Sequence, residues 1–122
     1  MTIYEKNLET LAAYYPEMDT MVEEAKRSVE QELEIFEENS CDGRTILKIK
    51  KEDKICYLNG KRNTVAAAEM WVKTLGELQR NAPILIMGLG NSTYLEELMK
   101  KTENRVCIIV YEPSIQIFFK FF

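Results

Sequence analysis

Near the start of the chain, apolar positions recur at helical spacing. Tyr4, Leu8, Leu11 and Tyr15 fall on one face at steps of three and four. Thr2 followed by Glu5 has the spacing of a capping box. Pro16 ends this helix and suits the first turn of another. Met18, Met21, Val22, Ala25 and Val29 then line one face, opposite acids and Lys26/Arg27. The pattern predicts helices over Thr2–Tyr14 and Pro16–Glu30. From Gln31 the period changes to two, with Leu33 and Ile35 alternating with acids. Asn39–Gly43 is a turn cluster. Thr45–Lys51 and Lys54–Asn59 read as strands joined by a polar hairpin turn. Leu47 and Ile49 share one face, and Ile46, Lys48 and Lys50 the other. An antiparallel meander with one buried face is expected. Asn63 or Thr64 caps a further helix through Leu78, with Ala68, Trp71, Leu75 and Leu78 on its inner side.

The second half is built on Ile84-Leu85-Ile86-Met87 and Val106–Tyr111. Neither run alternates with polar residues, so both are expected as strands buried on two faces, with Cys107 as a small core residue. Between them lie a glycine turn and a helix carrying Glu96/Lys100 and Glu97/Lys101 at ion-pair spacing. The expected fold class is α/β with an α+β start. It comprises two N-terminal helices, a small antiparallel β-meander, and an incomplete Rossmann-like β-α-β-α unit. A seam is expected between 1–62 and 63–122, where antiparallel patterning gives way to strand–helix alternation. The chain stops a few residues into the next helix, as an N-terminal fragment of a longer protein would. Ile115, Ile117, Phe118, Phe119, Phe121 and Phe122 make its tail strongly apolar. That tail is expected to pack back on the parallel strands or to pair with another copy.

The chemistry concentrates at Gly88-Leu89-Gly90-Asn91-Ser92-Thr93. Gly88 permits a sharp reversal, and Gly90 allows a ligand to approach the main chain. Asn91, Ser92 or Thr93 can cap the helix that follows, Thr93 with Glu96 repeating the capping-box spacing. Free amides and the helix dipole there favour a phosphate or other anion. Glu112 ends the second strand, where an acid would receive ribose hydroxyls. In the dinucleotide fingerprint G-x-G-x-x-G the third position is here Thr93. The candidate nucleotide-binding residues are therefore Gly88, Gly90, Asn91, Ser92, Thr93 and Glu112. A plainer alternative keeps the glycines for geometry alone and uses Glu112 to cap the helix that Pro113 begins.

Composition narrows the classes. A chain of 122 residues with 46% hydrophobic and 30% charged residues is an ordinary globular one. The net charge of −4 speaks against nucleic acid as main partner. No apolar segment approaches membrane-spanning length, and the start is not that of a signal peptide, so a cytoplasmic protein is expected. Cys41, Cys56 and Cys107 have neither disulfide nor zinc spacing. The absence of histidine removes imidazole chemistry and histidine metal ligands. No metal site and no catalytic residue is assigned. Lys48, Lys50, Lys51 and Lys54 make the hairpin locally basic, either as an anion-binding face or as a solvated sheet edge.

Several stretches together resemble one family. They are Tyr4–Leu8, Tyr14–Glu17, Tyr57–Asn63, Ile84–Gly90 and Val110–Pro113. The chain is similar to the N-terminal part of the motility-accessory-factor (Maf) glycosyltransferases, which share a central domain with archaeal 6-hydroxymethylpterin diphosphokinases. The resemblance implies a cytoplasmic bacterial enzyme that glycosylates flagellin serine or threonine with a CMP-activated nonulosonic acid. It implies flagellin as partner and a CMP-sugar or other nucleotide as ligand, with Gly88, Gly90 and Glu112 facing the nucleotide. The fragment itself would be structural or recognitional and not independently active. Two alternatives stand beside it. One is a domain binding S-adenosylmethionine or another nucleotide, although Met87 precedes Gly88 where methyltransferases usually place an acid. The other is a non-enzymatic interaction module, with self-association through the apolar tail.

Overall fold

The computed structural model describes residues 1–28 and 34–121. The expectations placed on Val29, Glu30, Gln31, Leu33 and Phe122 lie outside the described residues. The elements run α1 (Ile3–Tyr14), α2 (Met18–Ser28), β1 (Glu34–Asn39), β2 (Thr45–Lys51), β3 (Lys54–Tyr57), α3 (Thr64–Thr74), β4 (Ile84–Met87), α4 (Thr93–Thr102), β5 (Ile108–Tyr111) and α5 (Ile115–Phe121). The fold is mixed α/β: two N-terminal helices, a three-stranded antiparallel sheet in the order β1-β2-β3, and a two-stranded parallel sheet of β4 and β5.

The chain divides into two compact units, residues 1–32 with 114–122, and residues 33–113. In the first unit, Thr2 starts α1 with a complete capping box: its side chain accepts from the Glu5 amide, and Glu5 accepts from the Thr2 amide. Pro16 lies in the turn before α2 and not in its first turn as predicted. Val22 and Ile117 are buried in this unit. The Phe119 ring meets Tyr4 edge-on at 6.3 Å, and the Lys26 ammonium stands 4.8 Å over the Tyr4 ring.

The second unit carries the meander and the β4–α4–β5 run together. In the meander, Phe36 pairs with Lys48, and Lys48 with Tyr57. Burial departs from the expected one-faced pattern. Ile46 and Leu47 are both fully buried although they point to opposite faces, and β3 is exposed throughout. Its first half of β2 is thus covered on both sides, while the hairpin end projects into solvent. The parallel pair departs as well. Ile84 and Ile86 are half-buried, but Leu85 and Met87 are exposed, as are their register partners Ile109 and Tyr111. A run without polar alternation can be buried on two faces; here one face is open. Cys107 is exposed and precedes β5.

Asn63 caps α3 by accepting from the Ala66 amide at 2.9 Å. The helix stops at Thr74, short of the predicted Leu78, because Gly76 adopts φ +64° after the C-cap Leu75. α3 lies along α4, with Trp71 edge-on to Tyr94 at 5.2 Å. The expected ion pairs of α4 are exchanged for other partners. Glu97 pairs with Lys100 at 2.5 Å, while Lys101 donates to the Val72 and Gly76 carbonyls near the end of α3. The exposed cap predicts that Asn63→Ala lowers stability by about 1 kcal/mol in urea unfolding. An unchanged midpoint would show that the cap contributes nothing.

Candidate functional site

The parallel register places Met87 opposite Tyr111, so the chain leaves β4 and β5 side by side. The Gly88 amide donates to the Tyr111 carbonyl at 2.8 Å and extends the ladder by one bond. Gly88 then turns with φ +90°, a conformation L-residues rarely adopt. The next amide, of Leu89, donates to Glu112 Oε2 at 2.7 Å. Gly88 and Glu112, predicted from the sequence as two sides of one site, are thus brought together. At the start of α5, the Ile117 amide donates to Ser114 Oγ at 3.3 Å.

Gly90 has φ +57°, and a Cβ placed there would lie 3.0 Å from Asn59 Oδ1 and 3.2 Å from Asn59 Nδ2. The space predicted for an approaching ligand is occupied by a side chain of the protein itself. Asn59 is buried, and its Oδ1 accepts from the Asn91 amide at 3.0 Å. Asn91 is buried too. Its Nδ2 donates to the Thr45 carbonyl at 3.1 Å, and its Oδ1 accepts from the Thr93 amide at 3.3 Å. The amides of Leu89, Asn91 and Thr93 are therefore engaged by side-chain oxygens. The local chemistry explains the arrangement: unpaired amides at a helix start are costly when buried, so the chain supplies its own acceptors.

Ser92 is the residue before α4 but stands in the left-handed region at φ 67°, and its side chain makes no cap. Its hydroxyl donates to Glu96 Oε1 at 2.9 Å, and Arg44 Nη1 pairs with Glu96 Oε2 at 3.1 Å. Thr93 is the first helical residue; its Oγ1 is buried without a hydrogen-bond partner among the described residues. Of the six predicted site residues, Gly88 and Glu112 share the turn's outer side. Gly90, Asn91 and Thr93 face the protein, and Ser92 joins a polar chain with Glu96 and Arg44. Beside Glu112, Met87 is 71% and Tyr111 54% exposed. Asn59, the residue at the centre of this junction, was legible only as part of an Asn-Gly turn.

Two other carboxylates are tied down. Glu38 on β1 is held below its ordinary 4.5, first by Lys61, then by Lys48 and the Tyr57 hydroxyl. The predicted basic face of the meander is thereby partly neutralised at Lys48. Asp42 is held below its ordinary 3.8, first by the Ser40 hydroxyl and then by the Val65 amide at the start of α3. Among the described residues, no group of histidine, cysteine, aspartate and glutamate is placed to hold a metal ion. No helix among them is long and apolar enough to cross a membrane. The chain matches no protein-family model, no curated protein and no solved structure.

A carboxylate pKa lowered by folding stabilises the fold above its unfolded-state value, and that contribution disappears as pH falls through the folded-state value. Asp42→Ala should therefore destabilise the protein at pH 7, and its deficit against wild type should shrink as pH drops below 3.8. Urea unfolding at several pH values checks this. A deficit that does not change with pH would mean that the charge of Asp42 is irrelevant.

Proposed function

We propose that the chain binds the nucleoside part of a nucleotide at the carboxyl end of the β4–β5 pair. In this proposal β4–α4–β5 is the opening of a Rossmann-like unit, and the chain is the N-terminal recognition part of a Maf-type glycosyltransferase acting on flagellin with a CMP-activated sugar. The observation that carries the nucleoside reading is the Leu89 amide bonded to Glu112 across the glycine turn. It holds a carboxylate at the edge where open α/β sheets bind ligands. An ionised carboxylate has acceptor capacity for more than one donor. One donor is the Leu89 amide; ribose hydroxyls are donors of the kind that would add to it. Tyr111 and Met87, exposed and opposite one another at the ends of β5 and β4, offer a surface on which a base can stack.

The same carboxylate decides what the turn would refuse. A phosphate brought to the Leu89 amide would meet Glu112 already bonded there, and like charges repel. The proposal is therefore for ribose recognition, with phosphates directed away from the turn. The glycosyltransferase part rests on the likeness of the sequence stretches, and the proposal assigns no catalytic step to this chain. S-adenosylmethionine, which also presents a ribose, is the second reading that Glu112 favours.

Thermal unfolding with CMP, a CMP-sugar and S-adenosylmethionine separates the readings, since a ligand that binds only the folded state raises the melting temperature. At a ligand concentration about a hundred times Kd the gain is about 2.7 kcal/mol. CMP or the CMP-sugar should stabilise the wild type, and Glu112→Ala should abolish the shift. Stabilisation by S-adenosylmethionine alone would replace the sugar-nucleotide assignment. Stabilisation that persists in Glu112→Ala would remove the carboxylate from the site.

A further inference from the structure

The opposite end of the parallel pair carries a different chemistry. An open cleft of about 270 Å³ lies there, lined by Arg80, Lys101, Arg105, Leu78 and Val106 among others, with Glu103 its one carboxylate. We infer that this cleft is a binding site for a phosphate group, held between the guanidinium groups of Arg80 and Arg105.

The cations of the cleft differ in what they already do. Lys101 is committed, since its ammonium donates to the Val72 carbonyl at 3.0 Å and the Gly76 carbonyl at 2.7 Å. It closes the end of α3 and adds a fixed positive charge to the wall. Arg105 pairs through Nη2 with Glu103 at 2.6 Å. A guanidinium has five N–H donors, so this pair leaves most of them available. Arg80 makes no hydrogen bond or ion pair among the described residues. Three cations against one carboxylate give the cleft a positive field in a chain whose net charge is −4.

Both arginines stand in hydrogen-bonded turns. The Ala82 amide donates to the Gln79 carbonyl at 3.2 Å around Arg80, and the Arg105 amide donates to the Thr102 carbonyl at 2.9 Å. Each adjoins an asparagine in the left-handed region, Asn81 at φ 71° and Asn104 at φ 56°. Asparagine tolerates this region better than most residues. The cations are thus carried on defined backbone turns.

Planar guanidinium forks match the oxygens of a phosphate, and two of them match its double charge. Leu78 and Val106 add an apolar wall that a bare ion would not use. The volume lies just below the range of about 300–1,000 Å³ common for small-molecule sites, which limits the occupant to a small phosphomonoester or the free ion. α4 runs from the glycine turn towards this cleft, and its ten residues span about 15 Å at 1.5 Å per residue. The cleft is therefore separate from the Glu112 turn, and its assignment does not depend on the nucleoside proposal.

The test is thermal unfolding and calorimetric titration of the full chain with inorganic phosphate and with glycerol 3-phosphate, against chloride at matched ionic strength. Both phosphates should bind saturably and raise the melting temperature. Arg80→Ala and Arg105→Ala should each weaken binding about tenfold or more, with Arg80→Lys intermediate because it keeps the charge and loses the fork. Tighter binding of the ester supports a phosphomonoester site, and equal binding supports a site for the free ion. Melting in chloride shows whether each variant folds, and Arg80→Lys carries the test if an alanine variant does not. No stabilisation by either phosphate, or binding undiminished in the arginine variants, would overturn the inference.

Discussion

One side chain determines how the second unit is joined. Asn59 ends the meander in sequence, yet its carboxamide occupies the space that Gly90 leaves open and accepts from the Asn91 amide. Asn91 passes the connection on to the Thr45 carbonyl at the start of β2. The antiparallel meander and the start of α4 are therefore joined by buried amide groups. Gly90 is required for packing: its missing Cβ is what admits Asn59. The Asn91 and Thr93 amides behind it are then bonded to side-chain oxygens of the chain itself.

The burial pattern of this unit follows the same logic. Beside Ile46, Leu47, Ala68, Val72 and Leu98, the buried set includes Asn59, Thr64, Asn91, Thr93, Glu97 and Thr102. A buried polar group is costly unless bonded, so a core of this kind stands or falls on its pairings. Most are visible: Thr64 donates to the Gly60 carbonyl, Thr102 to the Leu98 carbonyl, and Glu97 accepts from Lys100. Such bonds are directional, so they specify one arrangement of turn, helix and meander more narrowly than apolar contact would. That fixed arrangement is what holds Glu112 against the Leu89 amide and leaves Tyr111 and Met87 exposed beside it.

The sequence was informative where the physics is local. Period two placed β2 at Thr45–Lys51, and the Thr2/Glu5 spacing placed the start of α1, because both patterns arise within a few residues. The end of α3 was also written locally, in Gly76, a residue suited to the left-handed position after a helix. What depends on distant partners was not legible. Glu96 and Lys101 have ideal i,i+4 neighbours on α4, yet Arg44 claims the one and the Val72 and Gly76 carbonyls the other. Leu85 and Met87 are apolar enough for burial, but apolarity does not say what will cover a face. Asn59 bonds to a residue 32 positions away, and an Asn-Gly pair signals a turn without naming that partner. Glu112 was placed correctly at the turn because the end of one parallel strand is necessarily near the end of its neighbour.

The most direct test of this junction is a double-mutant cycle of Asn59→Ala and Gly90→Ala, measured by urea unfolding. Asn59→Ala should cost about 1–3 kcal/mol, because it leaves the buried Asn91 amide without its acceptor. Gly90→Ala should also destabilise, since its Cβ would meet the Asn59 carboxamide at 3.0 Å. Together they should cost less than the sum by about 1 kcal/mol, because removing the carboxamide makes room for the added methyl group. Strict additivity would contradict the account, showing that Asn59 and Gly90 act independently and that the junction is held by something else.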